Sequence, residues 1–177
     1  MSANPAVIVV DLQTGMMDGV KFSPLHEHER ILANTNRMTG WARARGAPVV
    51  YVRHDGEAGE ALERGAPGWP IHPAITPKDG EPIFEKTVGD AFEETTLADW
   101  LRERDIDQVI LLGAATDQCI AATCRGALDR GFNVTVVSDA HSTMDWNGET
   151  ADQIIARHNK LFVVLGARIE TVAGLGA

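Results

Sequence analysis

A chain of 177 residues that is 44% apolar and 23% charged has ordinary globular composition, and it is long enough to bury a core without disulfide or metal staples. Sixteen basic against 25 acidic residues leave a formal charge of −9, which repels phosphate backbones and anionic lipid and so sets aside nucleic-acid and membrane partners. No apolar run approaches the ~20 residues of a membrane span, and Met1 to Pro5 lacks the basic-then-apolar pattern of a secretory signal.

Ala6 to Val10 is rich in β-branched residues and predicts a buried strand with Asp11 at its end. Ile31, Leu32, Met38, Trp41 and Ala42 keep roughly helical spacing, which predicts a helix over 27–44 that stops at Gly46. A second strand is expected over 48–52. Residues 53–80 hold five glycines and four prolines without periodicity and read as a long loop, either a lid or an interface. A short third strand over 82–84 puts Lys86 two residues past its end. Thr95 or Thr96 caps a helix carrying Leu97, Trp100 and Leu101 on one face. The fourth strand covers 109–112, a helix runs from about Cys119 to Arg130, and Gly131 ends it. A fifth strand over 133–137, a helix over 149–162 and a last strand over 168–172 complete the pattern. Strands alternating with helices predict an α/β chain: one domain over 1–177, with a parallel sheet covered on both faces in three α-β-α layers.

In such a sheet, ligands bind beyond the carboxyl ends of the strands. That rule singles out Asp11, Lys86 and Cys119: a carboxylate, an ammonium and a thiol at strand ends. A thiol at a helix N-terminus has its pKa lowered by free amide donors, and a lysine nearby favours the thiolate in the same way, with Asp11 placed to accept the thiol proton. Cys119 and Cys124 lie five apart in one predicted helix, too far round it for a disulfide. Free thiols fit a reducing, cytoplasmic setting. Gln13, two residues past Asp11, argues against an aspartyl phosphatase, which needs a second carboxylate there.

The runs GAATDQC over 113–119, VDLQ over 10–13, Glu85-Lys86 with Asp90 to Phe92 and Thr95 to Leu97, and VSDAH over 137–141 resemble the isochorismatase-like cysteine hydrolases. So does the helix over 154–161. The resemblance spans residues 5–173 and implies six parallel strands in a Rossmann-like order without a dinucleotide. It also implies an Asp–Lys–Cys triad of Asp11, Lys86 and Cys119, a cis peptide between Ala114 and Ala115, and an oxyanion hole made by the backbone amides of Ala115 and Cys119. The activity implied is hydrolysis of an amide or related C–N bond of a small molecule through a thioester. Isochorismatase-type ether hydrolysis and a catalytically silent dimeric binding protein are the alternatives. Gln13, Thr116, His54 and Trp69 are candidates for supporting the site or binding substrate, and Phe22, Met16, Met17 and Trp146 for lining a pocket. No cofactor is expected. No metal is expected either: nicotinamidase-like relatives hold a divalent ion with an Asp-x-His pair after the second strand, and residues 52–56 here read VRHDG. Only His54 with Asp55 and His72 could assemble a substitute. The family habit of association, and the cover that Trp69 and Ile71 require, point to a homo-oligomer.

Overall fold

The computed structural model describes residues 4–177. Strands β1 (Pro5–Val10), β2 (Val49–His54), β3 (Ile83–Lys86), β4 (Gln108–Ala114), β5 (Asn133–Ser142) and β6 (Arg168–Glu170) form one sheet in the order β3-β2-β1-β4-β5-β6. Every pairing is parallel. Successive residues of β1 alternate between two cores, as a strand buried on both faces must. Val7 and Val9 pack with Ile31, Leu32 and Met38 of α1 (His28–Ala44). Ala6, Ile8 and Val10 pack with Leu97 and Leu101 of α2 (Leu97–Arg102), Cys124 and Ala127 of α3 (Ala121–Asp129), and Phe162 of α4 (Ala151–Leu165). The result is the expected three-layer α-β-α arrangement. Strand order reverses between β1 and β4, so the crevice for a ligand opens where Asp11 and the residues after Ala114 emerge.

Local signals explain most element ends. Thr150 and Gln153 make a reciprocal capping box at the start of α4, and Gly166 ends that helix at φ 106°. Thr95 rather than Thr96 supplies the oxygen that accepts the Leu97 N–H at the start of α2. Gly113 has φ 128°, and a Cβ there would lie 2.1 Å from the Val10 carbonyl oxygen, so only glycine lets β4 run this close to β1.

Four expectations need correction. β3 reaches Lys86, which pairs in register with His54 and is buried rather than beyond the strand end. β5 continues five residues past Val137, with a register shift against β4 between Leu111 and Gly113 that sets His141 beside Gly113. The segment 116–120 is a π-helical turn that precedes α3, so Cys119 lies within a helical run, not at its start. Residues 53–80 are also more ordered than a plain loop. They hold the end of β2 and a 3-10 turn at Pro73–Ile75. They also pair with the segment after β1 through the Gln13–Ile71 bridge, the Thr14 N–H on the Pro70 carbonyl and the Gly15 N–H on the Gly68 carbonyl. Among the described residues no helix is long and apolar enough to cross a membrane.

Candidate active site

Asp11 follows β1 directly with φ 50°, a left-handed conformation that aspartate tolerates better than most residues. Its N–H donates to the Val52 carbonyl at 3.0 Å, which ties the turn to β2. Its carboxylate is 2% exposed and lies 2.7 Å from Lys86 Nζ. Oδ1 receives no hydrogen bond among the described residues. Lys86 comes from two strands away, a gap of roughly 10 Å at ordinary strand spacing, which its long side chain spans. The ammonium also donates to the Val88 carbonyl at 3.0 Å and to Cys119 Sγ at 3.3 Å. Burial alone would pull Lys86 down, but the Asp11 charge and the Cys119 contact outweigh it and hold its pKa above the ordinary lysine value. The structure therefore brings the three chemistry-bearing residues together.

The shift at the thiol runs opposite to the lowering expected. Burial, followed by the neighbouring Asp11 charge, pushes Cys119 up to about 12 against the pull of Lys86. Inside the turn the sulfur meets a carboxylate as well as an ammonium, and little water. Cys124 packs wholly inside the core and is pushed up to about 11 by burial. Both cysteines are free.

The peptide bond between Ala114 and Ala115 is cis. Asp11, Ala115, Cys119 and His54 line one open cavity of about 960 Å³, with Met16, Phe22, Leu62, Met144 and Trp146 among its walls. That volume suits a drug-sized small molecule. Met17 is buried in the core below the cavity, and Trp69 does not line it. Trp69 instead donates from Nε1 to Asp55 Oδ1 at 2.6 Å and lies under the Arg53 guanidinium at 3.6 Å. Its own chain thus covers it, and Ile71 packs on the core, so neither residue calls for a partner subunit.

Gln13 is fully buried and outside the cavity. Its Nε2 donates to the carbonyls of His54 (2.9 Å) and Trp69 (2.8 Å), and its Oε1 accepts the His54 N–H at 2.8 Å. It joins β2 and the 53–80 segment to the Asp11 turn and does not face substrate. His54 does face the cavity, with Nδ1 3.4 Å from Lys86 Nζ. Burial first, and then that ammonium, lower its pKa. A divalent ion does not fit here. Asp55 is engaged by Trp69 and Arg64, His72 Nδ1 accepts the Ala74 N–H, and Lys86 holds a positive charge beside His54 Nδ1. Among the described residues no group of three or more His, Cys, Asp or Glu could hold a metal.

Thr116 opens the π-helical turn, and its Oγ1 lies 2.8 Å from Nδ1 of the buried His141. His141 Nε2 is 3.0 Å from Asn159 Oδ1 on α4. The next residue, Asp117, accepts from Thr143 Oγ1 at 2.6 Å. His141, Asn159 and Thr143 were not among the site residues expected. The run VSDAH over 137–141 pointed toward His141, but ending the strand at Val137 left it out of the sheet, while Asn159 on α4 and Thr143 past β5 carried no such signal.

Residues 5–167 match the family described as the isochorismatase domain. A streptothricin hydrolase of Streptomyces noursei is 36% identical over 140 residues, covering 79% of this chain and 55% of that protein. The chain spans about half the length of the two streptothricin hydrolases it matches. The N-carbamoylsarcosine amidase of an Arthrobacter species is 30% identical over 167 residues, covering 81% of this chain and 63% of the relative. The crystal structure of an isochorismatase from Pseudomonas putida KT2440 superposes with a TM-score of 0.89 at 27% identity, covering 96% of this chain and 89% of that one. With the sheet order, the crevice and these matches agreeing, the chain belongs to the isochorismatase family.

Proposed function

We propose that the chain is a cysteine hydrolase that cleaves an amide or related C–N bond of a small molecule through a thioester on Cys119. The observation that carries this reading is the buried cluster in which Lys86 Nζ lies 2.7 Å from Asp11 Oδ2 and 3.3 Å from Cys119 Sγ, opening onto the cavity. Relatives named as a hydrolase and an amidase support it.

Because the resting sulfur is a thiol, deprotonation and attack belong to one step. Asp11 takes the proton as Sγ bonds to the carbonyl carbon, and the carbonyl π electrons move onto oxygen. The resulting oxyanion lies on the N–H groups of Ala115 and Cys119. The Ala115 N–H has no hydrogen-bond acceptor among the described residues, as a donor kept for a transient anion should. The C–N bond then breaks, Asp11 returns the proton to nitrogen, and the amine leaves. Water next gives a proton to Asp11 and its hydroxide attacks the thioester carbon. Collapse expels the thiolate, which regains the proton from Asp11, and the carboxylic product departs. Lys86 remains charged throughout and balances the one negative charge that moves between Asp11, Cys119 and the oxyanion.

A homo-oligomer in a reducing cytoplasm belongs to the same reading, since an unoxidised thiol is required. Light scattering that found only monomer at micromolar concentration would remove the oligomer from it. The activity is tested by measuring ammonia or amine release over a panel of primary amides and ureido compounds, with Cys119→Ala as the blank. Turnover that disappears in the blank is expected. A panel cleaved equally well by Cys119→Ala would overturn the nucleophile.

A further inference from the structure

We infer that Thr116, His141 and Asn159 form a positioning chain that holds the turn bearing Cys119 in its reactive geometry, a role that rests on the hydrolase reading above. Thr116 stands between the two backbone amides proposed to hold the oxyanion, one residue after Ala115 and three before Cys119. A shift of the backbone at Thr116, which its side-chain contact restrains, would therefore move both donors and the sulfur together.

The proton pattern along the chain follows from the partners. The Asn159 oxygen facing His141 can only accept, so Nε2 carries the ring proton and donates at 3.0 Å. Nδ1 is then a bare lone pair, and the Thr116 hydroxyl donates to it at 2.8 Å. Burial keeps His141 in this neutral form, pulling its pKa down to about 4. The imidazole is packed on one side by the Phe162 ring, edge-on at 6.0 Å, and that ring in turn meets His158 at 5.9 Å, whose Nδ1–H donates to the Ile154 carbonyl. Asp117 is fixed in parallel by Thr143 Oγ1, so two consecutive residues of the turn are fastened to the end of β5 and the residue that follows it. Packing alone would not require this. An apolar core fills such space without three polar groups, each of which must be satisfied to avoid a penalty. What the polar chain adds is direction, and its inner end is the nucleophile turn.

The test compares Thr116→Val, which keeps the shape and removes the hydroxyl, with Thr116→Ser, which restores it. Three quantities are read: kcat and KM on the best amide of the panel, the apparent pH midpoint for iodoacetamide alkylation of Cys119, obtained by mass spectrometry from its rate at pH 6 to 9 against that of a free thiol, and thermal stability. Thr116→Val is expected to lower kcat by about 10²-fold, the size of effect that an ångström of misplacement produces. KM should change less than kcat, since the walls at residues 21–23, 59–62 and 144–146 lie outside the turn that moves. The alkylation midpoint should fall by about one pH unit or more as the thiol leaves the carboxylate that raises it. Thr116→Ser should recover most of both changes. Asn159→Leu, at a half-buried position, should shift the same readouts in the same direction, and it carries the test if Thr116→Val does not fold. Wild-type kcat and an unmoved midpoint in a folded Thr116→Val would reduce the chain to a stabilising contact, as would a Thr116→Ser that is no better than the valine. Alkylation needs no substrate. A wild-type protein inert toward every amide would therefore defeat the hydrolase reading, while the alkylation midpoints still decide whether the turn is positioned by this chain.

Discussion

Replacing Lys86 with methionine removes the ammonium and keeps an unbranched side chain of similar length in the slot between β3 and the Asp11 turn. Asp11 is 2% exposed, its Oδ1 has no donor among the described residues, and Lys86 Nζ at 2.7 Å is the cation set against it. The variant thus leaves a buried carboxylate without its counter-charge. Breaking a buried pair in this way costs about 3–5 kcal/mol. For a chain of this length each kcal/mol moves the melting temperature by about 2–4 °C, so a fall of roughly 6–20 °C is expected. Asp11→Asn should be destabilising for the mirror-image reason, and asparagine tolerates the left-handed backbone at this position. The double variant carries neither charge and should lose less than the sum of the two single losses by about 3 kcal/mol. Urea unfolding at pH 7.5, followed by tryptophan fluorescence, measures all four proteins. A Lys86→Met protein within about 1 kcal/mol of wild type, or additive losses in the double variant, would refute the view that these two charges sustain each other.

The Cys119 thiol, pushed up to about 12 by burial and Asp11, should alkylate faster with every pH step from 6 to 9 without levelling off; a plateau near neutrality would mean that a thiolate is present at rest. Gly113→Ala should destabilise the chain by about 3 kcal/mol, because its Cβ meets the Val10 carbonyl and φ 128° disfavours a side chain; an unchanged urea midpoint would contradict the close β1–β4 approach. His141 has a folded-state pKa of about 4 against 6.5 ordinarily, so the unfolded chain takes up its proton first. Its contribution is present above pH 6.5 and is lost as pH falls toward 4, by roughly 3 kcal/mol, and this share of acid destabilisation should be missing from His141→Gln.

The strands that place Asp11 and Cys119 were legible because β1 and β4 are short, nearly continuous apolar runs, a signal that needs no partner to be read. Lys86 was located by type but not by environment. Glu85 and Lys86 look like the margin beyond a strand over 82–84 until β2 pairs with them, and only that non-local pairing buries the lysine. β5 was cut short for a related reason. Ser138 and Asp139 read as polar turn residues, yet Ser138 donates to the Glu170 carbonyl and Asp139 Oδ1 accepts the Val172 N–H. The Asp139 carbonyl also takes the Asn34 amide from α1. These groups are satisfied by segments distant in sequence, so their polarity says nothing about where the strand ends. The state of the Cys119 sulfur was misjudged because helix position is local, whereas the carboxylate that raises its pKa arrives from another strand.

The cavity has two unlike rims. One, at residues 59–62, belongs to the segment laid along the turn after β1, where a Cβ on Gly15 or Gly68 would strike the Ala61 carbonyl oxygen at 2.6 and 2.2 Å and where Gln13 adds three further bonds. The other carries Phe22 and Trp146, 37% and 69% exposed, on stretches outside the sheet and helices. An enlarged residue on the first rim is transmitted directly to Asp11. On the second rim Asp145 caps α4 and Met144 packs on the core, so the freedom lies with the exposed side chains of Phe22 and Trp146, which make no hydrogen bond among the described residues. Substrate range is thus separable from chemistry along a physical seam, and a library aimed at new substrates belongs at Phe22 and Trp146, whose exposed side chains are expected to vary at the least cost to turnover.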